Sequence, residues 1–182
     1  GSGKSTLARC IVGLLSPTEG IVKLGGNVLK PTASRRNLDA QRRIQFIFQD
    51  PTGALNPRFT VEETISRPLR LYRRSKGKKT RDRVIELMES VNLPERYLDR
   101  YPHELSGGEK QRVSIARVLG TEPDLVICDE PTSALDISVQ AAVLNELSDL
   151  QSRFGISYLF ISHDLGVVRY VADRVAIMYL GA

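Results

Sequence analysis

Apolar residues in the chain fall into short runs whose spacing alternates between helical and extended, separated by polar clusters and by glycine or proline. Lys4 to Leu15 carries the pattern of a buried helix closed by Ser16-Pro17, followed by a turn at Gly20 and a short strand, Ile21 to Leu24. Ile44 to Phe48 (IQFIF) predicts a strand that stops at Gln49-Asp50-Pro51. After GALNPR and a basic stretch comes TRDRVIELMESVNL, in which Val84, Leu87, Met88 and Val91 share one helical face. The segment from about 50 to 104 therefore reads as a helical insertion beside a main sheet. From Ser106 the sheet pattern returns, with a Gly-Gly helix start and an amphipathic helix through Leu119, then a strand from Leu125 to Cys128 ending in Asp129-Glu130. A helix from about Val139 to Arg153 leads to a strand, Ser157 to Ile161, ending at Ser162-His163. A last strand is expected from Arg174 to Tyr179 (RVAIMY). No internal repeat and no low-complexity tract interrupts this order.

Alternating helices and strands imply an α/β fold with a mostly parallel sheet and flanking helices. Three of the strands finish in polar residues at their carboxyl ends, where open α/β sheets place their ligands. At 182 residues and 41% hydrophobic composition, the chain can bury one sizeable core. No apolar run reaches the length of about 18 residues that a membrane-spanning helix needs, and the first ten residues lack a secretory layout. Cys10 and Cys128 sit in apolar stretches without metal-ligand spacing and read as buried thiols of a cytosolic protein. The net charge of +5 is concentrated in residues 70 to 83, which hold eight basic residues against Asp82 alone. Tyr72 is the one aromatic there, so base stacking on nucleic acid has little support, and a solvated loop or contact with an anionic membrane surface remain the two readings.

Three constellations carry chemistry. Gly1, Ser2, Gly3, Lys4, Ser5 and Thr6 match the second half of the phosphate-binding pattern G-x-x-x-x-G-K-[ST], whose first glycine would precede residue 1. The glycines let backbone N–H groups wrap phosphates, Lys4 reaches the β and γ phosphates, and Ser5 can hold Mg²⁺. Leu125 to Glu130 is an apolar strand ending in two carboxylates, Asp129 for the metal and Glu130 as base for an attacking water. Leu105-Ser106-Gly107-Gly108-Glu109 puts a serine and two glycines at a helix start, a donor-rich place for an anion.

The order GSGKST, Gln49 after an apolar strand, LSGGEKQR, LVICDEPTSALD and ISHD resembles the motif series of ATP-binding-cassette ATPases, and the resemblance covers nearly the whole chain. It implies a P-loop NTPase-type sheet with a helical subdomain, here truncated at both ends. It also implies a head-to-tail dimer with a second cassette subunit, in which ATP lies between the loop at Lys4 of one copy and Ser106, Gly107 and Gly108 of the other. By the same resemblance Gln49 contacts Mg²⁺ and the attacking water, Asp136 lies in the loop linking the two sites, and His163 reaches the γ-phosphate. Glu109 stands where the signature often has glutamine.

IQFIFQDPTGALNPRFTVEETISRPL, SALDISVQAAVLNEL and HDLGVVRYVADRVAIMYLG are similar to the ATPase subunits of bacterial dipeptide and oligopeptide importers, whose relatives also move nickel or glutathione. Thr52 departs from the aromatic residue frequent there. This narrower resemblance implies membrane permease partners contacted by the segment after Gln49 (Leu55, Asn56, Arg58). It further implies a substrate-binding protein acting through them, and a peripheral place on the cytoplasmic face of the membrane. Two rival classes are a cassette ATPase acting on nucleic acid or ribosomes and a module that holds ATP without turnover. The absence of long coiled-coil interruptions weighs against the first, and Glu130 together with His163 weighs against the second.

Overall fold

The computed structural model describes residues 2–72 and 78–181, so Gly1 and the centre of the basic stretch lie outside the described residues. Helix α1 spans Lys4–Val12 and is followed by an antiparallel pair, β1 (Lys23–Leu24) and β2 (Asn27–Val28). Next come α2 (Leu38–Arg43), β3 (Ile44–Ile47), the short α3 (Pro51–Ala54), α4 (Val61–Tyr72) and α5 (Lys78–Ser90). The order closes with α6 (Gly107–Leu119), β4 (Leu125–Asp129), α7 (Ile137–Phe154), β5 (Ser157–Ile161) and α8 (Leu165–Val171). The main sheet is parallel in the order β3-β4-β5, with Ile44 opposite Leu125 and Asp129 opposite Ile161.

The near-continuous apolar runs of β3 and β4 follow from burial on both faces, as a parallel sheet covered by helices requires. Alternation along β4 divides the core: Val126 and Cys128 join the cluster under α4 to α7, whereas Ile127 packs with Ala8 of α1, Ile44, Phe46 and Ile161 on the opposite face. Val84, Leu87, Met88 and Val91 are all buried, as their helical spacing predicts. Helices α4 and α5 pack on α6. Cys128 is fully buried, which pushes its thiol well above the ordinary range, while Cys10 is only half-buried; both are free.

Four expectations are corrected. Helix α1 ends at Val12 rather than Leu15, because Gly13 turns left-handed (φ 87°) and its N–H caps the carbonyls of Arg9 and Cys10. A Cβ at Gly13 would stand 2.6 Å from the Ala33 nitrogen, so only glycine fits this crossing. The strand expected from Ile21 contracts to Lys23–Leu24, since the hairpin ladder holds two pairs, Lys23 with Val28 and Leu24 with Asn27. Arg174 to Tyr179 forms no strand among the described residues: Val175, Ile177 and Tyr179 are exposed, and extended apolar residues without a neighbouring ladder do not make a sheet. Leu55, read as a surface residue, is in the core with Val61 and Ile65.

Candidate functional site

The three parallel strands deliver their carboxyl ends to one edge of the sheet. β4 ends on Asp129, and the next residue, Glu130, takes a left-handed backbone (φ 49°) while its N–H bonds the Ile161 carbonyl at the end of β5 (3.0 Å). A non-glycine residue in that conformation costs roughly 1–3 kcal/mol and persists where its surroundings fix it. Two residues beyond β3, Gln49 donates from Nε2 to Glu130 Oε2 (3.3 Å) and to Ser133 Oγ (3.2 Å). Two residues beyond β5, His163 Nδ1 pairs with Glu130 Oε1 at 3.0 Å. Residues separated by more than eighty positions thus converge on one carboxylate. A cleft of about 150 Å³ opens beside it, lined by Glu130, Ser133, Gln140, Ser162 and His163 among others.

Helix α1 brings the described residues of the GSGKST run to the same edge. Gly3, at φ 88°, caps α1, and the Gly3 carbonyl accepts from Leu7 N–H. Lys4 Nζ donates to Ser2 Oγ (3.0 Å), and Ser5 Oγ donates to Asp129 Oδ1 (2.8 Å). Thr6 is exposed on the first turn. The Ser5 hydroxyl and buried Asp129 form an oxygen pair, and Gln49, which lines a cleft with Asp129, carries a further amide oxygen. Among the described residues no group of three or more His, Cys, Asp or Glu could hold a metal by itself. That donor set fits Mg²⁺, which is held by one or two protein oxygens with phosphates and water, and does not fit an all-protein metal cage.

Ser106 caps α6, and a reciprocal box closes it: Ser106 N–H donates to Glu109 Oε2 (2.7 Å) while Glu109 N–H donates to Ser106 Oγ (3.3 Å). Burial works to raise the Glu109 carboxyl, but hydrogen bonds from Ser106 and Tyr97 and the charge of Arg100 outweigh it and hold the group below its ordinary value. Gly107 and Gly108 pack toward Leu135 and Val139. Asp136 caps α7 from Oδ1, accepting from Ser138 Oγ (2.7 Å) and Val139 N–H (3.0 Å), and these bonds lower its pKa.

Lys4, Ser5, Asp129, Glu130, Gln49 and His163 therefore share one edge. Among the described residues no hydrogen bond joins them to Ser106, Gly107, Gly108 or Glu109. Ser133 is a site neighbour that sequence reasoning passed over; its only signal was membership in the PTSALD run directly after Glu130. A larger cleft of about 690 Å³ lies between β3 and α4, but it is lined by no carboxylate, histidine, serine or threonine, so its size does not locate the chemistry.

The family described as ABC transporter matches residues 1–133. The oligopeptide transport ATP-binding protein OppF of Escherichia coli (strain K12) is 50% identical over 185 residues, covering 100% of this chain and 54% of that protein. OppF of Bacillus subtilis (strain 168) is 47% identical over 183 residues, covering 100% of this chain and 60% of that protein. A putative peptide import ATP-binding protein of Brucella abortus (strain 2308) is 49% identical over 182 residues, with 100% and 54% covered. The chain spans about half the length of these curated relatives. Among solved structures, the dimeric post-hydrolysis state of the ATP-binding cassette MJ0796 bound to ADP and Pi superposes with a TM-score of 0.79 at 32% identity, covering 93% of this chain and 74% of that one. With the P-loop NTPase-type α/β fold, helix α1 set against Asp129 through Ser5 and the family match over most of its length, the chain belongs to the ABC transporter family.

Proposed function

We propose that the chain binds and hydrolyses ATP with Mg²⁺, and that this drives a membrane importer for dipeptides or oligopeptides, or for the related nickel or glutathione substrates. The observation that carries the hydrolytic reading is Glu130: its carboxylate is held at the end of β4 by a left-handed backbone and braced by Gln49 and His163, one residue from the Asp129–Ser5 pair. The peptide assignment is supported by relatives named for oligopeptide transport or peptide import.

In this mechanism the N–H groups of Ser2 to Thr6 and the Lys4 ammonium hold the phosphates, and the sequence pattern assigns Gly1 to the same loop. Ser5, Asp129 and Gln49 would hold Mg²⁺, which when bound offsets phosphate charge at the reacting centre. Glu130 takes the proton of the attacking water, Gln49 helps orient that water, and His163 contacts the γ-phosphate. Ser106, Gly107, Gly108 and Glu109 serve the ATP of a second cassette subunit, and Asp136 lies in the loop between the two sites. Binding across two subunits gives ATP a differential affinity for the closed dimer, which is what a ligand needs to drive a conformational change. Residues from about 50 to 104 form the helical subdomain, and the rest form the core.

Exposed Asn56 and Arg58 belong to the surface offered to the permease subunits, which link the cassette indirectly to a substrate-binding protein. No nucleic acid takes part. No helix among the described residues is long and apolar enough to cross a membrane. The importer reading puts the cassette at the periphery of the membrane, on its cytoplasmic face.

Glu130→Gln in the full-length protein tests the reading, since it preserves size and removes the base. General-base catalysis contributes roughly 10²- to 10⁴-fold, about 3–5 kcal/mol at 1.36 kcal/mol per tenfold. Turnover falls by that order, ATP still binds, and an ATP-bound dimer accumulates on size exclusion, whereas Ser106→Arg stays monomeric. Wild-type turnover in Glu130→Gln removes this residue from the mechanism.

A further inference from the structure

The Ser133 hydroxyl lies between the two groups assigned to the attacking water. It donates to the Glu130 carbonyl oxygen (3.1 Å), which also accepts from Ser133 N–H (3.2 Å), and it accepts from Gln49 Nε2 (3.2 Å). A serine hydroxyl has a single proton, so once that proton is given to the Glu130 carbonyl only lone pairs remain for Gln49. Glu130 Oε2, a carboxylate oxygen 3.3 Å from the same nitrogen, also only accepts. Both neighbours therefore demand the NH₂ end of the Gln49 amide. The amide is planar, so Oε1 is turned away from them, and among the described residues no donor meets it.

We propose that Ser133 is a positioning residue that fixes the amide polarity of Gln49, so that Gln49 presents an oxygen, rather than an N–H, to the nucleotide-bound cation. The inference rests on the reading of Gln49 as a metal-contacting group. Glu130 cannot hold this polarity by itself through a turnover, because a carboxylate that has taken the water's proton can donate as well as accept. Ser133 is neutral and its proton has the backbone carbonyl as a standing acceptor, so its lone pairs stay available to the Gln49 NH₂ whichever protonation state Glu130 takes. Serine is required for this at the side chain only: the Ser133 N–H bond that supports the left-handed turn at Glu130 survives removal of the hydroxyl.

The test uses the full-length protein with a non-hydrolysable ATP analogue and Mn²⁺ as a paramagnetic substitute for Mg²⁺, its affinity read by EPR titration. Loss of one orienting hydrogen bond predicts that Ser133→Ala weakens Mn²⁺ binding about 2- to 12-fold. Metal-free nucleotide affinity and the thermal melt stay at wild-type values. Ser133→Thr, which keeps the hydroxyl, restores the affinity, and Ser133→Ala adds nothing in a Gln49→Ala background. If Gln49→Ala weakens Mn²⁺ binding and Ser133→Ala does not, the positioning role is overturned while the metal role of Gln49 stands. If Gln49→Ala leaves Mn²⁺ affinity unchanged, that metal role fails and the inference falls with it.

Discussion

Gly108 lies in the first turn of α6, where a Cβ would come 2.7 Å from Cγ1 of Val139, at the start of α7. Val139 is β-branched and its methyl cannot swing aside as the tip of a long side chain can, so Gly108→Ala must push the two helix starts apart. Forcing an extra methyl into a packed contact costs about 1–3 kcal/mol. Replacing glycine within a helix returns up to about 1 kcal/mol of backbone entropy. The neighbouring glycine supplies the control, since a Cβ at Gly107 would meet Leu135 Cδ2 at an ordinary 3.5 Å. Gly107→Ala therefore keeps the entropic gain without the clash, and the difference between the two variants isolates the clash. For a difference of about 2 kcal/mol, the melting temperature of Gly108→Ala lies about 4–8 °C below that of Gly107→Ala in a domain of this size. Val139→Ala in the Gly108→Ala background removes the opposing methyl and recovers part of the loss, a coupling read from a double-mutant cycle in urea. Equal stability of the two alanine variants would refute the packing argument.

Other residues give outcomes as direct. Arg112 Nε pairs at 3.2 Å with Glu146, whose side chain is 4% exposed, so Arg112→Met leaves a buried carboxylate unpaired. Breaking such a pair costs about 3–5 kcal/mol, and because Arg112 is partly exposed the denaturant midpoint should reflect the lower end. Replacing both partners with apolar residues recovers most of the loss. On the acid side, Asp136 and Glu109 are held below their ordinary values, Asp136 mainly by Ser138 and Glu109 by the Ser106 cap against its own burial. Their folded values are lowered, so their stabilisation is complete above the ordinary carboxylate range, about 4, and is lost as the pH falls through the folded values. Unfolding followed from about pH 6 to pH 2 should show a shallower fall in the Asp136→Asn, Glu109→Gln double variant than in the wild type. Glu146, raised by burial, acts with the opposite sign, its contribution fading as the pH rises through its folded value.

What the sequence determined by itself was local. Period and punctuation located β3, α5, α6, β4, α7 and β5 to within a few residues, because each carries an apolar run or face whose period fits one secondary structure. The acids and amides at the strand ends were legible for the same reason, since a buried run that stops on a polar residue marks where the sheet meets solvent. Arg174 to Tyr179 shows the limit of that reasoning: its strand-like pattern lacks a paired neighbour among the described residues, and a strand is a property of a pair. Gly13 ended α1 early by turning left-handed (φ 87°), at a crossing where the Ala33 N–H, twenty residues on, bonds the Gly13 carbonyl at 2.9 Å and leaves no room for a side chain. Leu55 went inside because Val61 and Ile65 were there to receive it. The convergence of Gln49, Ser133 and His163 on Glu130 was likewise decided by tertiary structure, because the register of three parallel strands sets which side chains lie within hydrogen-bonding distance.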